Sequence, residues 1–150
     1  MANIDSATLK ANNYMQAFGE GNVASGNIAL SAAPNAADVI RLMRIPAGNE
    51  ISALLIANDQ LDTNGSKTLV ASIGYMGANT ADNVTAQPAA FAAAGQTTFQ
   101  AVNQGTVFMK FAPITFAFDV YLTITVGTAA ATFNNGSIYA AALGRARGVK

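Results

Sequence analysis

The stretch F-A-F-D-V-Y-L-T-I-T-V at residues 116–126 decides the fold of this 150-residue chain. From Asp119 onward apolar and polar residues alternate, and the side chains of a β-strand point to opposite faces with that same period of two. The stretch therefore predicts a half-buried strand. Its predicted core face consists of Val120, Leu122, Ile124 and Val126. The opposite face, with Tyr121, Thr123 and Thr125, is neither charged nor strongly apolar, which suits a surface shared with a neighbouring subunit.

Other short stretches are rich in branched apolar residues and end at turn-forming residues, which predicts further strands. They lie at residues 27–31, 38–45, 50–58, 68–75, 97–102, 106–111, 128–133 and 137–143. Leu55, Leu69 and Ile73 are the core residues predicted for these strands. Eight or nine short strands without a long helix predict an all-β fold, an antiparallel β-sandwich that is jelly-roll-like.

Two short loops predict β-hairpins. The loop Pro46-Ala47-Gly48-Asn49 separates two strand-like stretches by four residues. Asn134-Asn135-Gly136 separates two others, and Asn-Gly favours a type I′ turn because both central residues of that turn need positive φ.

Residues 1–26 are polar and lack a sustained period, which predicts an N-terminal arm or lead-in before a sandwich domain at residues 27–150. The arm either frays or docks onto a neighbouring subunit. Residues 77–96 are predicted to form a long Ala-rich loop with room for one or two helical turns around Phe91. A loop of this length within a domain favours a contact with a partner.

Basic residues are concentrated in the C-terminal tail, at Arg145, Arg147 and Lys150. The tail is either simply solvated or an electrostatic tether to an acidic partner surface. Arg41 and Arg44 are three residues apart in a predicted strand and should face opposite ways, so no common patch is expected from them.

The composition excludes most catalytic chemistry. The chain contains no Cys and no His, which removes disulfides, thiolate metal sites, a Cys nucleophile and the Ser-His-Asp arrangement. Its carboxylates are scattered and its glycines follow no phosphate-binding pattern. We therefore expect no enzymatic activity, no cofactor and no metal.

One stretch has a partial likeness to a calcium-binding loop, through Asp59, Asp62 and Asn64 followed by Gly65. In the EF-hand register, however, Gln60 takes the first position and Ala71 the twelfth, where a bidentate Glu belongs. The stretch is therefore interpreted as a turn.

The charge content points to assembly. Charged residues make up 11% of the chain, against about 25% in typical soluble domains. This favours a surface covered by other protein, the alternative being a neutral monomer. Eight basic and eight acidic residues balance, so no nucleic-acid surface is expected. Neither a secretory signal nor an apolar span of about 18 residues is present, so we expect synthesis in the cytoplasm of the cell that makes the protein and no membrane contact.

Three segments carry a resemblance to a known family. They are residues 45–51 (I-P-A-G-N-E-I), 55–62 (L-I-A-N-D-Q-L-D) and 121–130 (Y-L-T-I-T-V-G-T-A-A), within a similarity that spans residues 38–143. In these segments the chain resembles the capsid decoration, or cement, proteins of tailed bacteriophages. The resemblance implies a jelly-roll or related β-sandwich that associates with itself, as a homotrimer more readily than a homodimer. It also implies binding to the major capsid protein on the exterior of the virion, and it offers no catalytic residues.

Six residues in the arm, the long loop and the tail are the candidates for that capsid contact: Tyr14, Phe18, Phe91, Arg145, Arg147 and Lys150. The alternative function is a phage tail component or a receptor- or carbohydrate-binding module with the same fold. The absence of Trp and the presence of only 4 Tyr disfavour a sugar site, which usually needs an exposed aromatic platform.

Overall fold

The computed structural model describes residues 1–6, 14–15, 22–108 and 112–147. Eleven strands lie within these residues: β1 (Asn3–Asp5), β2 (Tyr14–Met15), β3 (Asn22–Leu30), β4 (Val39–Ile45), β5 (Asn49–Asn58), β6 (Val70–Gly77), β7 (Gln87–Gln96), β8 (Asn103–Phe108), β9 (Ile114–Thr115), β10 (Val120–Thr128) and β11 (Gly136–Ala146). The predicted all-β sandwich is confirmed. It has more strands than predicted because three of them are only two or three residues long.

The strands form two packed sheets. Sheet A has the order β1-β4-β10-β6-β7, and sheet B has the order β2-β3-β11-β5-β8, with β9 paired to β5. Neighbours pair antiparallel throughout these described strands, except that β1 runs parallel to β4. Strands β10 and β11 therefore occupy the centres of sheet A and sheet B, respectively.

The core lies between the central strands. Val120, Leu122, Ile124 and Val126 are buried on the inner face of β10, opposite a buried set on β11, Ile138, Ala140 and Ala142. Leu69 and Ile73 are buried in the same cluster. Burial of each large aliphatic side chain contributes about 1.5–3 kcal/mol to folding. Leu55 differs from its prediction as a core residue: it is half-buried on the outer face, because its neighbours Leu54 and Ile56 take the inward positions.

The two predicted hairpins are wrong, because each connection crosses from one sheet to the other. β4 lies in sheet A and β5 in sheet B, and the crossing occurs through Gly48, which has φ of 79°. β10 and β11 are likewise in different sheets. The described residues with positive φ are Ala37, Gly48, Asn83 and Gly95, so Asn134-Asn135-Gly136 does not form a type I′ turn.

The region predicted as a long loop with helical turns is mostly strand. Thr80–Asp82 form a short 3-10 turn and β7 follows at Gln87–Gln96 as the edge of sheet A. The sequence did not predict this strand because it contains Pro88 and Gly95, and both residue types are unusual within strands. Of the pair predicted at residues 97–102 and 106–111, the first is a 3-10 turn at Thr98–Gln100, and the second begins earlier, at Asn103. Of the strand predicted at residues 128–133, Thr128 is the last residue of β10, and the remaining residues contribute only an isolated bridge, between Asp62 and Phe133.

The described parts of the predicted arm belong to the sandwich. β1 and β2 pair in sheets A and B, and β3 already begins at Asn22. The Ser6 hydroxyl donates to the Leu42 carbonyl at 2.8 Å, and the Ala2 N–H donates to the Asp38 carboxylate at 2.8 Å. These bonds hold the first strand against β4.

Gly26 on the inner face of β3 allows a close approach between the sheets. A Cβ at this position would collide with the backbone carbonyl of Leu42 in β4. Only glycine lets the two backbones lie so near each other.

Candidate functional site

The outer face of sheet A carries charge. Arg41 forms an ion pair with Asp5 at 2.5 Å, and its guanidinium carbon lies 5.0 Å from the centre of the Tyr121 ring. Arg44 pairs with Asp119. A bulge in the pairing of β4 with β10, between Leu122 and Thr123, leaves an extra β4 residue that changes the alternation. Arg41 and Arg44 consequently share this face, and the prediction that they face opposite ways is wrong.

Asp119 also anchors the crossing between the sheets. Its second carboxylate oxygen accepts the backbone N–H of Ala47 at 2.7 Å. Partial burial acts to raise the pKa of this carboxyl, but the Ala47 N–H and the Arg44 guanidinium outweigh that effect and lower it. The carboxylate therefore stays ionised and fixes the start of β10 to the loop after β4.

The outer face of sheet B is different, because the described side chains across its centre are uncharged. We call the six apolar residues there, aligned across β3, β11 and β5, the neutral face: Val23, Leu55, Ala57, Tyr139, Ala141 and Leu143. Tyr139 is 51% exposed and Leu143 41%. On the neighbouring strand β3, Ser25 pairs with Ala141 and Asn27 pairs with Tyr139; both are exposed and polar but uncharged.

The basic tail begins with an internal ion cluster at one end of sheet B. The Nε atoms of Arg145 and Arg147 donate to the two oxygens of Glu50 at 2.7 and 3.0 Å, and Thr115 donates to the same carboxylate at 3.2 Å. The hydrogen bond from Arg145 is the main reason that the pKa of Glu50 is lowered. The two guanidinium groups are thus paired within the chain, an arrangement that neither alternative from the sequence, a solvated tail or a tether to a partner, included.

Asp62 holds two loops together. It is fully buried, and its carboxylate accepts hydrogen bonds of 2.8–3.2 Å from backbone N–H groups of both loops. The donors are Asn64, Thr68 and Leu69 in the loop between β5 and β6, and Ala131 and Thr132 in the loop between β10 and β11. Burial acts to raise the pKa of Asp62, but these donors together lower it far below its usual value. Both oxygens are occupied by donors, which is the chemistry of a turn and not of a cation ligand.

The remaining predicted contact residues fall into two groups. Phe91 was predicted as a capsid contact, but its side chain is 5% exposed and packs in the core, with its ring centre 6.1 Å from that of Tyr75. Tyr14 pairs through its backbone with Ala24, and its side chain is outside the described part of the structure. Phe18 and Lys150 lie outside the described residues.

A shallow hollow of about 250 Å³ opens at the end of the sandwich where the Asn83 and Phe118 loops meet. Asp82 is the one carboxylate among its lining residues, so the hollow holds no carboxylate pair for acid–base chemistry. In the part of the chain that the structure describes, no three His, Cys, Asp or Glu residues are grouped to hold a metal. No helix in that part is long and apolar enough to cross a membrane.

The fold is that of chains found in bacteriophage capsids. The chain is similar to one from the capsid of Ralstonia phage GP4, with a TM-score of 0.74, 21% identity and 99% of each chain covered. It is also similar to one from the capsid asymmetric unit of cyanophage Pam1, with a TM-score of 0.67 and 21% identity; the match covers 93% of this chain and 94% of that one. A chain from the acidic stable capsid of Helicobacter pylori bacteriophage KHP30 gives a TM-score of 0.57 at 14% identity; the match covers 87% of this chain and 91% of that one. No protein-family model and no curated protein sequence matches the chain.

Sequence reasoning missed the clustering of charge as well as the neutral face. The sheet A cluster depends on a bulge, which has no reliable sequence signal. The neutral face could have been found by following the outward residues of β11, since Tyr139, Ala141 and Leu143 alternate with the buried Ile138, Ala140 and Ala142.

Proposed function

We propose that this protein is a structural component of a bacteriophage virion. In this role it is an oligomeric decoration, or cement, protein that binds the outer surface of the major capsid lattice and stabilises the shell. The observation that carries the proposal is the similarity in fold to a chain of the Ralstonia phage GP4 capsid over 99% of both chains. A match over the whole length favours a common role more than a match of one subdomain does, although a fold alone does not define a function.

The distribution of charge supports the same role. The chain has only eight basic and eight acidic residues, and Arg41, Arg44, Arg145 and Arg147 are already paired within the chain. Few charges remain to keep separate molecules apart, which favours a surface that other protein covers. We propose that the role is non-catalytic and that Tyr14, Phe18 and Lys150 remain candidate contact residues.

Stabilisation would follow from multiplicity. Each copy that binds only the closed lattice shifts the equilibrium towards it. An oligomer, for which we propose a homotrimer, would engage several lattice subunits at once and gain effective concentration at each further contact. A modest contact per subunit would then be sufficient for firm attachment.

The test is sedimentation of the purified protein with undecorated capsids and, separately, with host cells. We expect saturable co-sedimentation with capsids and a higher temperature of capsid opening in its presence. No binding to capsids would contradict the proposal, and binding to cells would instead support a tail or receptor-binding module. Sedimentation equilibrium of the free protein checks the oligomer, which a monomer at micromolar concentration would contradict.

A further inference from the structure

The two broad outer faces of the sandwich differ in charge. The face of sheet A carries the ion pairs Asp5–Arg41 and Arg44–Asp119, with the Tyr121 ring under Arg41. Covering this face would remove four charged groups from water, which is costly unless a partner supplies matching groups. The face of sheet A is therefore suited to solvent.

The neutral face of sheet B has the opposite character. Its residues form three cross-strand rows, Val23–Leu143, Ala141–Leu55 and Tyr139–Ala57. The next charges along β11 and after β5 lie beyond the rows: Arg145, which is paired with Glu50, and Asp59, which accepts the N–H of Ser137 at 2.8 Å. An uncharged, weakly apolar partner surface could cover these rows without burying an unpaired charge.

The size of the neutral face indicates what kind of partner can use it. Three strands about 4.8 Å apart and rows spread over about 14 Å give a footprint of about 300 Å² with side-chain margins. A stable interface between two free proteins buries roughly 800 Å² on each partner. The neutral face is too small to hold a free second copy on its own, but sufficient as one of many contacts on an array whose members are already fixed in place.

We infer that the neutral face is the surface through which this protein docks on the shell, against an uncharged, weakly apolar patch of the lattice. This inference rests on the proposed function and assigns its orientation: sheet B faces the lattice and the ion-paired face of sheet A faces water. Tyr139, on the middle strand β11, is the main anchor, because an exposed aromatic side chain with a polar tip gains most from being covered.

Two lysine substitutions at equivalent places test the orientation. Tyr139→Lys puts a charge on the middle strand of the outer face of sheet B, and Thr125→Lys does the same for sheet A, since β11 and β10 are the middle strands. In capsid co-sedimentation we expect Tyr139→Lys to bind about tenfold or more weakly than wild type. Thr125→Lys and Tyr139→Phe should bind within about twofold of wild type.

The outcomes separate the orientation from the function. If wild type does not bind capsids, the proposed function and the orientation fail together. If wild type and Tyr139→Lys bind equally, or if Thr125→Lys is the weaker binder, the orientation alone is wrong. A fall in the mass of free Tyr139→Lys, with the other variants unchanged, would assign the neutral face to a second copy and overturn the inference.

A footprint of the wild-type protein avoids any loss of folding in the variants. Hydroxyl-radical labelling of Tyr139 and Leu143 should fall severalfold on capsid-bound protein relative to free protein. Labelling of Tyr121 on sheet A should stay the same. Protection of Tyr121 without protection of Tyr139 would overturn the inference.

Discussion

Arg41 lies against Tyr121 across two neighbouring strands, with its guanidinium carbon 5.0 Å from the ring centre, while the same guanidinium forms two hydrogen bonds with Asp5. A cation over an aromatic face contributes about 0.5–1 kcal/mol at an exposed site. Through Arg41 the short strand β1 is thus connected to the middle of sheet A. The face has its interactions satisfied within the chain, and a partner would have to break them to gain new ones.

The backbone N–H groups that surround the Asp62 carboxylate, which we call the Asp62 cage, should make a large contribution to the free energy of unfolding. Replacement by Asn keeps the size but sets an amide N–H₂ among backbone N–H donors. We expect Asp62→Asn to lower the free energy of unfolding by about 3 kcal/mol, measured by urea unfolding at pH 7. The matched variant Asp59→Asn, at an exposed carboxylate with one backbone donor, should lose less than about 1 kcal/mol; equal losses would contradict the cage.

Wild type and Asp62→Asn together test the pH dependence of stability. Because the pKa of Asp62 is lower in the folded chain than in the unfolded chain, its stabilisation is complete well above the unfolded value of about 3.9 and is lost as the pH falls below that value. Wild type should therefore lose its advantage over Asp62→Asn progressively between about pH 4 and the acid limit of the measurement. An advantage that does not change from pH 7 to pH 2 would show that the carboxylate charge is not involved.

Gly26 should be intolerant of even one methyl group. Gly26→Ala would place a Cβ against the Leu42 carbonyl, where only a shift of the backbone can relieve the clash, and we expect a loss of about 1–3 kcal/mol. Gly65→Ala is the control, since its Cβ would meet nothing within 4 Å. That variant should be neutral or up to about 1 kcal/mol more stable. Thermal unfolding of the two variants side by side decides the point.

Phe91 should behave as a core residue. Phe91→Ala removes a ring packed near Tyr75 and should cost about 3–5 kcal/mol. Phe118→Ala, at a ring that is half exposed, should cost less than about 1.5 kcal/mol. If Phe91→Ala keeps full stability and instead weakens capsid binding, Phe91 is a contact residue after all.

Glu50 should control the end of β11. With Glu50→Gln the two arginines lose their common anion, and we expect faster amide hydrogen exchange at Arg147, whose N–H donates to the Gly48 carbonyl at 2.7 Å. Exchange in the middle of β11, at Ala140, should not change. Equal exchange at Arg147 in both proteins would mean that the strand pairing alone holds this end.

The sequence was sufficient to predict which residues of the central strand β10 are buried. The alternation in β10 identifies Val120 to Val126 as core because period two and apolar burial are local signals. Pairing is not local: the stretches on either side of Gly48 look like a hairpin, and only the need to cover two apolar faces sends them to different sheets. Strand β7 was missed because Pro88 and an Ala-rich run have little strand preference, which tertiary pairing overrides.

The candidate surface was less accessible to sequence reasoning. Arg145 and Arg147 look like a free basic tail until Glu50, 95 and 97 residues earlier, is placed beside them. The neutral face requires strands β3, β5 and β11 to be neighbours, which no single stretch encodes. In the sequence Tyr139 is an isolated aromatic residue. Only the pairing of the strands shows that it lies between Ala57 of β5 and Asn27 of β3 on the same face.

The placement of β10 and β11 has a consequence for the timing of folding. Both sheets are completed in the middle by residues 120–146, which leave the ribosome after all nine other strands. Until then β3 and β5 lack the strand that separates them, and so do β4 and β6. A nascent chain can form outer pairs such as β6–β7 and β5–β8 but cannot complete either sheet, so completion depends on late synthesis and long-range pairing, which is slow. Fragments that end before residue 120 lack the middle strand of both sheets and should therefore stay unfolded.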